Sequence, residues 1–141
     1  MDGDILYKEF SKVDNENKLA AYIDNIRKDH KTDFRSYLKE IMDRKGVDRS
    51  SLYRSARIER TYVYQLLDGR RLHPGKDKVI MIALALQMNV DEVKNALEYA
   101  DTGCLSIKSV RDSILLYSIK KKNSIAATNA LLEQFGEKPL E

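Results

Sequence analysis

Apolar residues recur every three or four positions along most of the chain, which is the spacing that places side chains on one face of a helix. From residue 34 to residue 100 this spacing predicts five helices, and the second and third, over 49–56 and 60–68, are short and only three residues apart. The fourth, over 76–88, is apolar nearly all round, as expected of a helix buried in the middle of a bundle. The pattern therefore predicts an all-α fold.

Weaker helical spacing precedes this central region. An apolar stripe predicts a short helix over 17–28. Residues 1–31 are therefore predicted to form an N-terminal helical appendage, partly flexible, that packs either on its own domain or on a partner subunit.

Two more amphipathic helices are predicted after the central domain, residues 32–100. They span about 109–121 and 124–135 and form a C-terminal helical hairpin within residues 101–141. Such helices must bury their stripes, either against the preceding domain or against a second copy of the chain. The predicted stripes are Val110, Ile114, Leu115 and Tyr117, and then Ile125, Leu131, Leu132 and Phe135. The final letters EKPLE are predicted to be a short tail.

The boundaries of the central helices carry local signals. Asp48 is predicted to cap the helix over 49–56. Gly69 is predicted to end the helix over 60–68 in the left-handed conformation. The last of the five helices is predicted to have Asp91 as its cap.

The helix over 60–68 divides into an apolar and a polar side. The apolar side carries Val63 and Leu66, which a globular domain buries. The polar side is formed by Arg60, Thr61, Tyr64, Gln65 and Asp68. Three of these side-chain types suit base edges, because Arg forks onto guanine, Gln pairs with adenine, and the Thr methyl group contacts the thymine methyl group. The pattern indicates a helix that enters a DNA major groove.

Two adjacent stretches extend this pattern, SLYRSARIERTYVYQLLDGRR and LHPGKDKVIMIALALQMNVDEV. They resemble the recognition helix, its closing glycine and the next core helix of the helix-turn-helix domains of the lambda and 434 repressor and Cro type, the Xre-type domains. The resemblance covers about residues 34–100. It implies a five-helix repressor-like helix-turn-helix domain that binds double-stranded DNA, with the helix over about 60–68 as the recognition helix.

The resemblance also implies roles for individual residues. Bases would be contacted by Arg60, Thr61, Tyr64 and Gln65. Phosphates would be gripped by Arg70 and Arg71, and the DNA-binding hypothesis adds Ser50, Ser51 and Tyr62 as phosphate contacts. Arg70 and Arg71 are equally compatible with ordinary loop cations that need no partner.

Two residues depart from the usual pattern of this family. Arg57 stands where the turn usually has Gly, and a non-Gly residue in the left-handed region costs about 1 kcal/mol. Glu59 stands where Ser or Thr usually caps the recognition helix. Both departures bear on specific DNA binding rather than on the fold.

Positive charge is concentrated on the same segment. The net charge of the chain is only +3, but residues 44–71 contain eight basic and three acidic side chains. The basic residues are Arg44, Lys45, Arg49, Arg54, Arg57, Arg60, Arg70 and Arg71. This distribution favours contact with a polyanion. The alternative is a solvated basic face on an adaptor domain.

Other functional classes find no support in the sequence. It contains no nucleophile–base pair, paired catalytic carboxylates, phosphate-binding glycine loop or metal-binding motif, so neither an enzyme nor a cofactor is predicted. Cys104 is a single cysteine, predicted to be a small buried or half-buried residue in a reducing cytoplasm. His30 and His73 are isolated and predicted to be solvated. No apolar run or signal-peptide pattern predicts a membrane segment or export.

The sequence therefore predicts a cytoplasmic, sequence-specific transcriptional regulator of bacterial or phage type. Proteins of this size bind specific DNA weakly as single domains, so a homodimer on a two-fold operator is expected. The alternative hypothesis is a helical protein-interaction adaptor, or an antitoxin bound to a toxin, that contacts its protein partner through the C-terminal helices.

Overall fold

The computed structural model describes residues 10–28 and 33–141. Within these ranges the protein contains eight α-helices and no β-strand, so the predicted all-α class is confirmed. The helices are α1 (Glu16–Lys28), α2 (Phe34–Lys45), α3 (Arg49–Ala56), α4 (Arg60–Asp68), α5 (Lys76–Ala85), α6 (Val90–Ala100), α7 (Val110–Lys121) and α8 (Ile125–Gln134). The chain divides into two compact units. The first contains α1, and the second contains α2 to α8.

The first unit contains the predicted N-terminal helix. The Asn15 side chain accepts a hydrogen bond from the Lys18 N–H at 2.8 Å, which supports the first turn of α1. The ring of Phe10 packs edge-on against Tyr22, with 5.3 Å between the ring centroids. Of residues 1–31, which were predicted to be partly flexible, residues 1–9 and 29–31 fall outside the described residues, and so does His30, which was predicted to be solvated.

In the second unit, α5 is the central helix. Residues 79–84 are all buried, and α5 contacts α3, α6, α7 and α8. The prediction of a helix buried on most sides is therefore confirmed. The helix ends at Ala85, three residues earlier than predicted, although Leu86 and Met88 remain in the core.

Most of the predicted boundary signals of α3 and α4 are present. The Asp48 carboxylate accepts a hydrogen bond from the Ser51 N–H at 2.8 Å and so caps α3. Arg57 ends α3 with φ 55°, and Gly69 ends α4 with φ 86°. Both residues are therefore left-handed, as the sequence predicted.

The predicted cap of α6 is wrong. Asn89, not Asp91, caps this helix, because the Asn89 side chain accepts from the Glu92 N–H at 2.8 Å while Glu92 accepts from the Asn89 N–H at 2.9 Å. This reciprocal capping box satisfies two free amides at once. Asp91 is already the second residue of the helix.

The C-terminal hairpin packs on α5 through a face that the sequence predicted only in part. Leu115, Ile125 and Leu132 of the predicted stripes are buried. Leu115 and Ile119 of α7 are buried with Ser118 between them, whereas Val110 and Tyr117 are 60% and 51% exposed. Apolar residues occur on more than one side of α7, so spacing alone could not select the buried side. The buried stripe of α8 consists of Ile125, Thr128 and Leu132, while Phe135 is exposed.

Two smaller expectations also change. The last residues are not a free tail, because Leu140 is buried and its N–H donates to the Asn129 side chain at 2.8 Å. Cys104 is exposed rather than buried, since it lies in the irregular segment between α6 and α7. His73 is exposed as predicted.

Among the described helices, none is long and apolar enough to cross a membrane.

Candidate nucleic-acid interface

One connected polar surface surrounds the outer side of α4, and we call it the α4 surface. It includes side chains of α4, of the beginning of α3, of the loop after α4 and of the first turn of α5. Its members are Arg49, Tyr53, Arg60, Thr61, Tyr62, Tyr64, Gln65, Asp68, Arg70, Arg71 and Lys78.

The inner side of α4 holds this surface in place. Val63, Leu66 and Leu67 are buried, so rotation of the helix would expose its apolar side. The Leu67 carbonyl near the end of α4 accepts a hydrogen bond from Nε of Arg35 in α2 at 2.8 Å. A Cβ atom at Gly69 would lie 3.0 Å from Nη1 of Arg35, so glycine also allows this close approach.

The first turn of α4 carries an aromatic and arginine cluster. The guanidinium groups of Arg60 and Arg49 lie 5.0 and 5.6 Å from the centroid of the Tyr64 ring. Tyr53 of α3 packs edge-on against the same ring, with 6.3 Å between centroids. Cation–π contacts of this kind hold the two arginines beside α4 without neutralising them. Thr61 is exposed next to this cluster.

The C-terminal half of α4 is joined to the following loop through Gln65 and Arg71. Nη2 of Arg71 donates to Oε1 of Gln65 at 3.1 Å, and the Arg71 N–H donates to the Gln65 carbonyl, also at 3.1 Å. The Arg71 guanidinium lies 4.3 Å from the centroid of the Tyr62 ring, and Nζ of Lys78 lies 5.7 Å from it. Partial burial raises the pKa of the Tyr62 phenol, so the ring stays neutral beneath the two cations.

Arg70 and the two serines have different surroundings. Nη2 of Arg70 lies 3.0 Å from the Asp68 carboxylate, which also accepts the Arg70 N–H at 3.1 Å. This is a local and exposed ion pair, of a kind that contributes little to stability. Ser50 is half-buried and Ser51 is exposed in the first turn of α3, next to Arg49.

The cations of residues 44–71 do not all belong to this surface. Arg44 and Lys45 form ion pairs with the two carboxylate oxygens of Glu92, each at 3.2 Å. Within residues 10–28 and 33–141, five other arginines of the segment form no ion pair, namely Arg49, Arg54, Arg57, Arg60 and Arg71. These five are all exposed. The unpaired positive charge is thus located around α3 and α4.

All nine side chains predicted to contact DNA lie on or beside the α4 surface, and their contacts with DNA stay predictions. Sequence reasoning missed three members, Arg49, Tyr53 and Lys78. The sequence pattern marks Arg49 only as a positive charge, although its position directly after the Asp48 cap places it at the start of α3. Lys78 gives no local signal, because it approaches Tyr62 only through the fold.

A second feature lies on the C-terminal hairpin. An open groove of about 550 Å³ runs along α7 and α8 and is predominantly apolar. Ile107, Val110, Tyr117 and Phe135 line it and are more than half exposed. Exposed apolar patches of this kind are typical of protein contact surfaces.

Comparison of the chain with protein families, with curated proteins and with solved structures gives no match. In the part of the chain that the structure describes, no group of three or more His, Cys, Asp or Glu side chains is arranged to hold a metal ion. The α4 surface and the groove on α7 and α8 are the two candidate binding surfaces of the second unit.

Proposed function

We propose that this protein is a sequence-specific DNA-binding transcriptional regulator of bacterial or phage type. In this proposal α2 to α6 form a five-helix repressor-like helix-turn-helix domain, and α4 is the recognition helix. The proposal involves no enzymatic activity and places the protein in the cytoplasm. The observation that carries it is the α4 surface, where a firmly packed helix presents hydrogen-bonding side chains between arginines that have no acidic partner in the described ranges.

The dimensions of α4 support this proposal. An α-helix with its side chains is about 10 to 12 Å in diameter, and the nine residues of α4 extend it over about 13 Å at 1.5 Å per residue. A B-DNA major groove is about 12 Å wide and admits one helix. The short turn from Arg57 to Glu59 leaves α3 beside α4, where the first turn of α3 would face the phosphate backbone.

Each side chain would then have one of two roles. Arg60, Thr61, Tyr64 and Gln65 would contact base edges in the groove. Ser50, Ser51, Tyr62, Arg70 and Arg71 would contact phosphates. Because Arg60 and Arg71 form no ion pair within the described residues, phosphate or base contact would not require them to leave a carboxylate.

The test is a titration of the purified protein against a library of randomised DNA duplexes at two salt concentrations. We expect enrichment of one sequence, with affinity that falls steeply as salt rises, since each phosphate contact contributes a slope of about −0.9 in log K against log salt. Gln65→Ala should relax the preference at one base position and cost about 1 to 3 kcal/mol. Lys120→Ala, an exposed lysine on α7, is the matched control and should leave binding unchanged. Failure to enrich any sequence would contradict the proposal.

Two-fold recognition gives a second readout. Regulators of this size commonly bind two half-sites one helical turn apart as dimers. We therefore expect the enriched sequence to be an inverted repeat and the complex to contain two copies of the chain, measured by sedimentation. An asymmetric site bound by one copy would contradict dimeric recognition but not DNA binding itself.

The groove on α7 and α8 favours a second candidate function, a protein-interaction adaptor or antitoxin. Tyr117→Asp would place a charge in the groove without touching the core, because Tyr117 is half exposed. If the adaptor function is correct, Tyr117→Asp should abolish a partner complex while wild-type helicity is retained. Lys120→Asp, on the same helix but not among the groove residues, is the matched control.

A further inference from the structure

Gln65 of α4 and Arg71 of the following loop form a connected pair on the α4 surface. Two hydrogen bonds connect them, one between their side chains and one between the Arg71 N–H and the Gln65 carbonyl, both 3.1 Å long. Contact with the Tyr62 ring at 4.3 Å holds the Arg71 guanidinium in place. The pair is therefore arranged before any ligand binds.

The hydrogen bond fixes the orientation of the Gln65 amide. A guanidinium has five N–H donors and no acceptor, so only the amide oxygen of Gln65 can face Arg71. The Gln65 NH2 group consequently keeps both of its donors for other partners. Arg71 uses one side-chain donor on Gln65 and keeps its others. Toward a ligand, the pair presents donors on both side chains.

This arrangement changes the base that Gln65 would prefer. Bidentate pairing of Gln with adenine needs the amide oxygen to accept from N6 and the amide nitrogen to donate to N7. The Gln65 oxygen keeps a second lone pair, but an adenine amino group that approached it would also approach the Arg71 guanidinium, and two donor groups that both carry positive charge repel each other. Guanine presents two acceptors in the major groove, O6 and N7, and thymine presents only O4.

We propose that Gln65 and Arg71 act as one donor-rich, positively charged unit that selects guanine over adenine in the major groove. This inference rests on the proposed function, and it moves Arg71 from a phosphate contact to a residue that positions Gln65 and determines its specificity. The α4 surface would then bind a site with guanine at the position that faces Gln65.

The experiment compares the enriched DNA sequences of four proteins, wild type, Gln65→Ala, Arg71→Met and Arg70→Met. Gln65→Ala identifies the base position that faces Gln65. Wild type should enrich guanine at that position. Arg71→Met keeps an unbranched side chain against Tyr62 but removes the guanidinium, so an adenine amino group could reach the Gln65 oxygen without meeting a cation. The ratio of guanine to adenine at that position should then fall about tenfold.

Arg70→Met is the matched control, because Arg70 is a neighbouring exposed arginine that pairs with Asp68 and not with Gln65. Arg70→Met should weaken binding to all DNA sequences alike and leave the preference for guanine unchanged. Circular dichroism should show unchanged helicity for both variants, since both arginines are exposed.

The possible outcomes separate the two proposals. Enrichment of adenine by wild type, or an unchanged preference for guanine in Arg71→Met, would overturn the donor-rich unit while leaving a DNA-binding regulator. Absence of any enriched sequence for wild type would instead overturn the proposed function. In the unbound protein, an NMR signal of the Gln65 side-chain amide that is insensitive to Arg71→Met would also overturn the pairing, independently of DNA.

Discussion

Arg111 of α7 donates two parallel hydrogen bonds to the carboxylate of Asp77 in α5, from Nη1 at 3.0 Å and from Nη2 at 2.8 Å. The same guanidinium donates from Nε to the Lys138 carbonyl at 3.0 Å, and Asp77 also accepts the Glu141 N–H at 3.2 Å. One ion pair thus joins the central helix, the C-terminal hairpin and the last residues of the chain. Hydrogen bonding to Asp77 raises the pKa of Arg111 further above its usual range, so the cation is permanent.

Removal of this cation should destabilise the second unit. We expect Arg111→Met to lower the free energy of unfolding by about 1.5 to 3 kcal/mol, because Asp77 would keep a partly buried charge without its strongest partner. Urea denaturation followed by circular dichroism measures the change. Lys120→Met on the same helix removes an exposed cation and should cost less than about 0.5 kcal/mol. Equal effects of the two variants would show that the Arg111 pair is dispensable.

Glu92 should make stability depend on pH in the acid range. Desolvation of its carboxylate acts to raise the pKa. Hydrogen bonds from the Asn89 N–H and from Lys45, together with the nearby charge of Arg44, act to lower it. The lowering effects are larger, so the pKa of Glu92 lies below the usual 4.5. A carboxylate with a lowered pKa in the folded state contributes stability that is present above 4.5 and is lost as the pH falls through the lowered value.

The matching experiment compares wild type with Glu92→Gln. At pH 7 the variant should be less stable by about 1 to 3 kcal/mol. At pH 3 the difference should be smaller, because wild type also loses part of its negative charge. A difference in the free energy of unfolding that is equal at the two pH values would contradict the linkage.

Arg57 carries backbone strain that can be relieved. Its φ of 55° lies in the left-handed region, where a side chain costs about 1 kcal/mol. Arg57→Gly should therefore raise the free energy of unfolding by about 0.5 to 1 kcal/mol. Ser55→Gly, two residues earlier inside α3, should instead lower it by about 0.5 kcal/mol. Thermal unfolding measures whether each variant is more or less stable than wild type. If both glycine variants are destabilised, Arg57 is not strained.

Leu140 should be needed for full stability even though it lies next to the last residue. It is 5% exposed and belongs to the same apolar cluster as α5 and α8. Leu140→Ala should cost about 2 kcal/mol, the lower end for a buried leucine. Lys138→Ala, whose side chain is exposed, should have little effect. Denaturation curves that coincide for wild type and Leu140→Ala would show that the last residues contribute no packing energy.

Arg49 and Arg44 should differ in their effect on DNA binding, although the sequence gives them equal weight as cations. Arg49 lies beside the Tyr64 ring on the α4 surface, whereas Arg44 is paired with Glu92 and Glu40. Arg49→Ala should weaken binding to all sequences and reduce the salt slope by about 0.9. Arg44→Ala should leave the slope unchanged. Identical slopes for the two variants, measured by fluorescence anisotropy, would argue against the α4 surface as the DNA contact.

The sequence predicted the local structure of the candidate site well. The bounds of α3 and α4 follow from the cap at Asp48 and from left-handed residues at Arg57 and Gly69, all signals that involve neighbours within a few residues. The two sides of α4 were also predicted, because a helix of nine residues with Val63 and Leu66 on one side can bury only that side. What could not be predicted is how the polar side chains pair, such as Gln65 with Arg71 across a loop.

By itself, then, the sequence determined the all-α class, the approximate positions of the helices and the side of α4 that faces solvent, because capping and helical spacing act over a few residues. Only the tertiary structure decided that Ile119 is buried while Val110 and Tyr117 are exposed, and that Leu140 joins the core. It likewise decided that Glu92 forms ion pairs with Arg44 and Lys45 at the end of α2. These outcomes depend on which distant surfaces meet, and burial energy depends on the partner surface as much as on the residue.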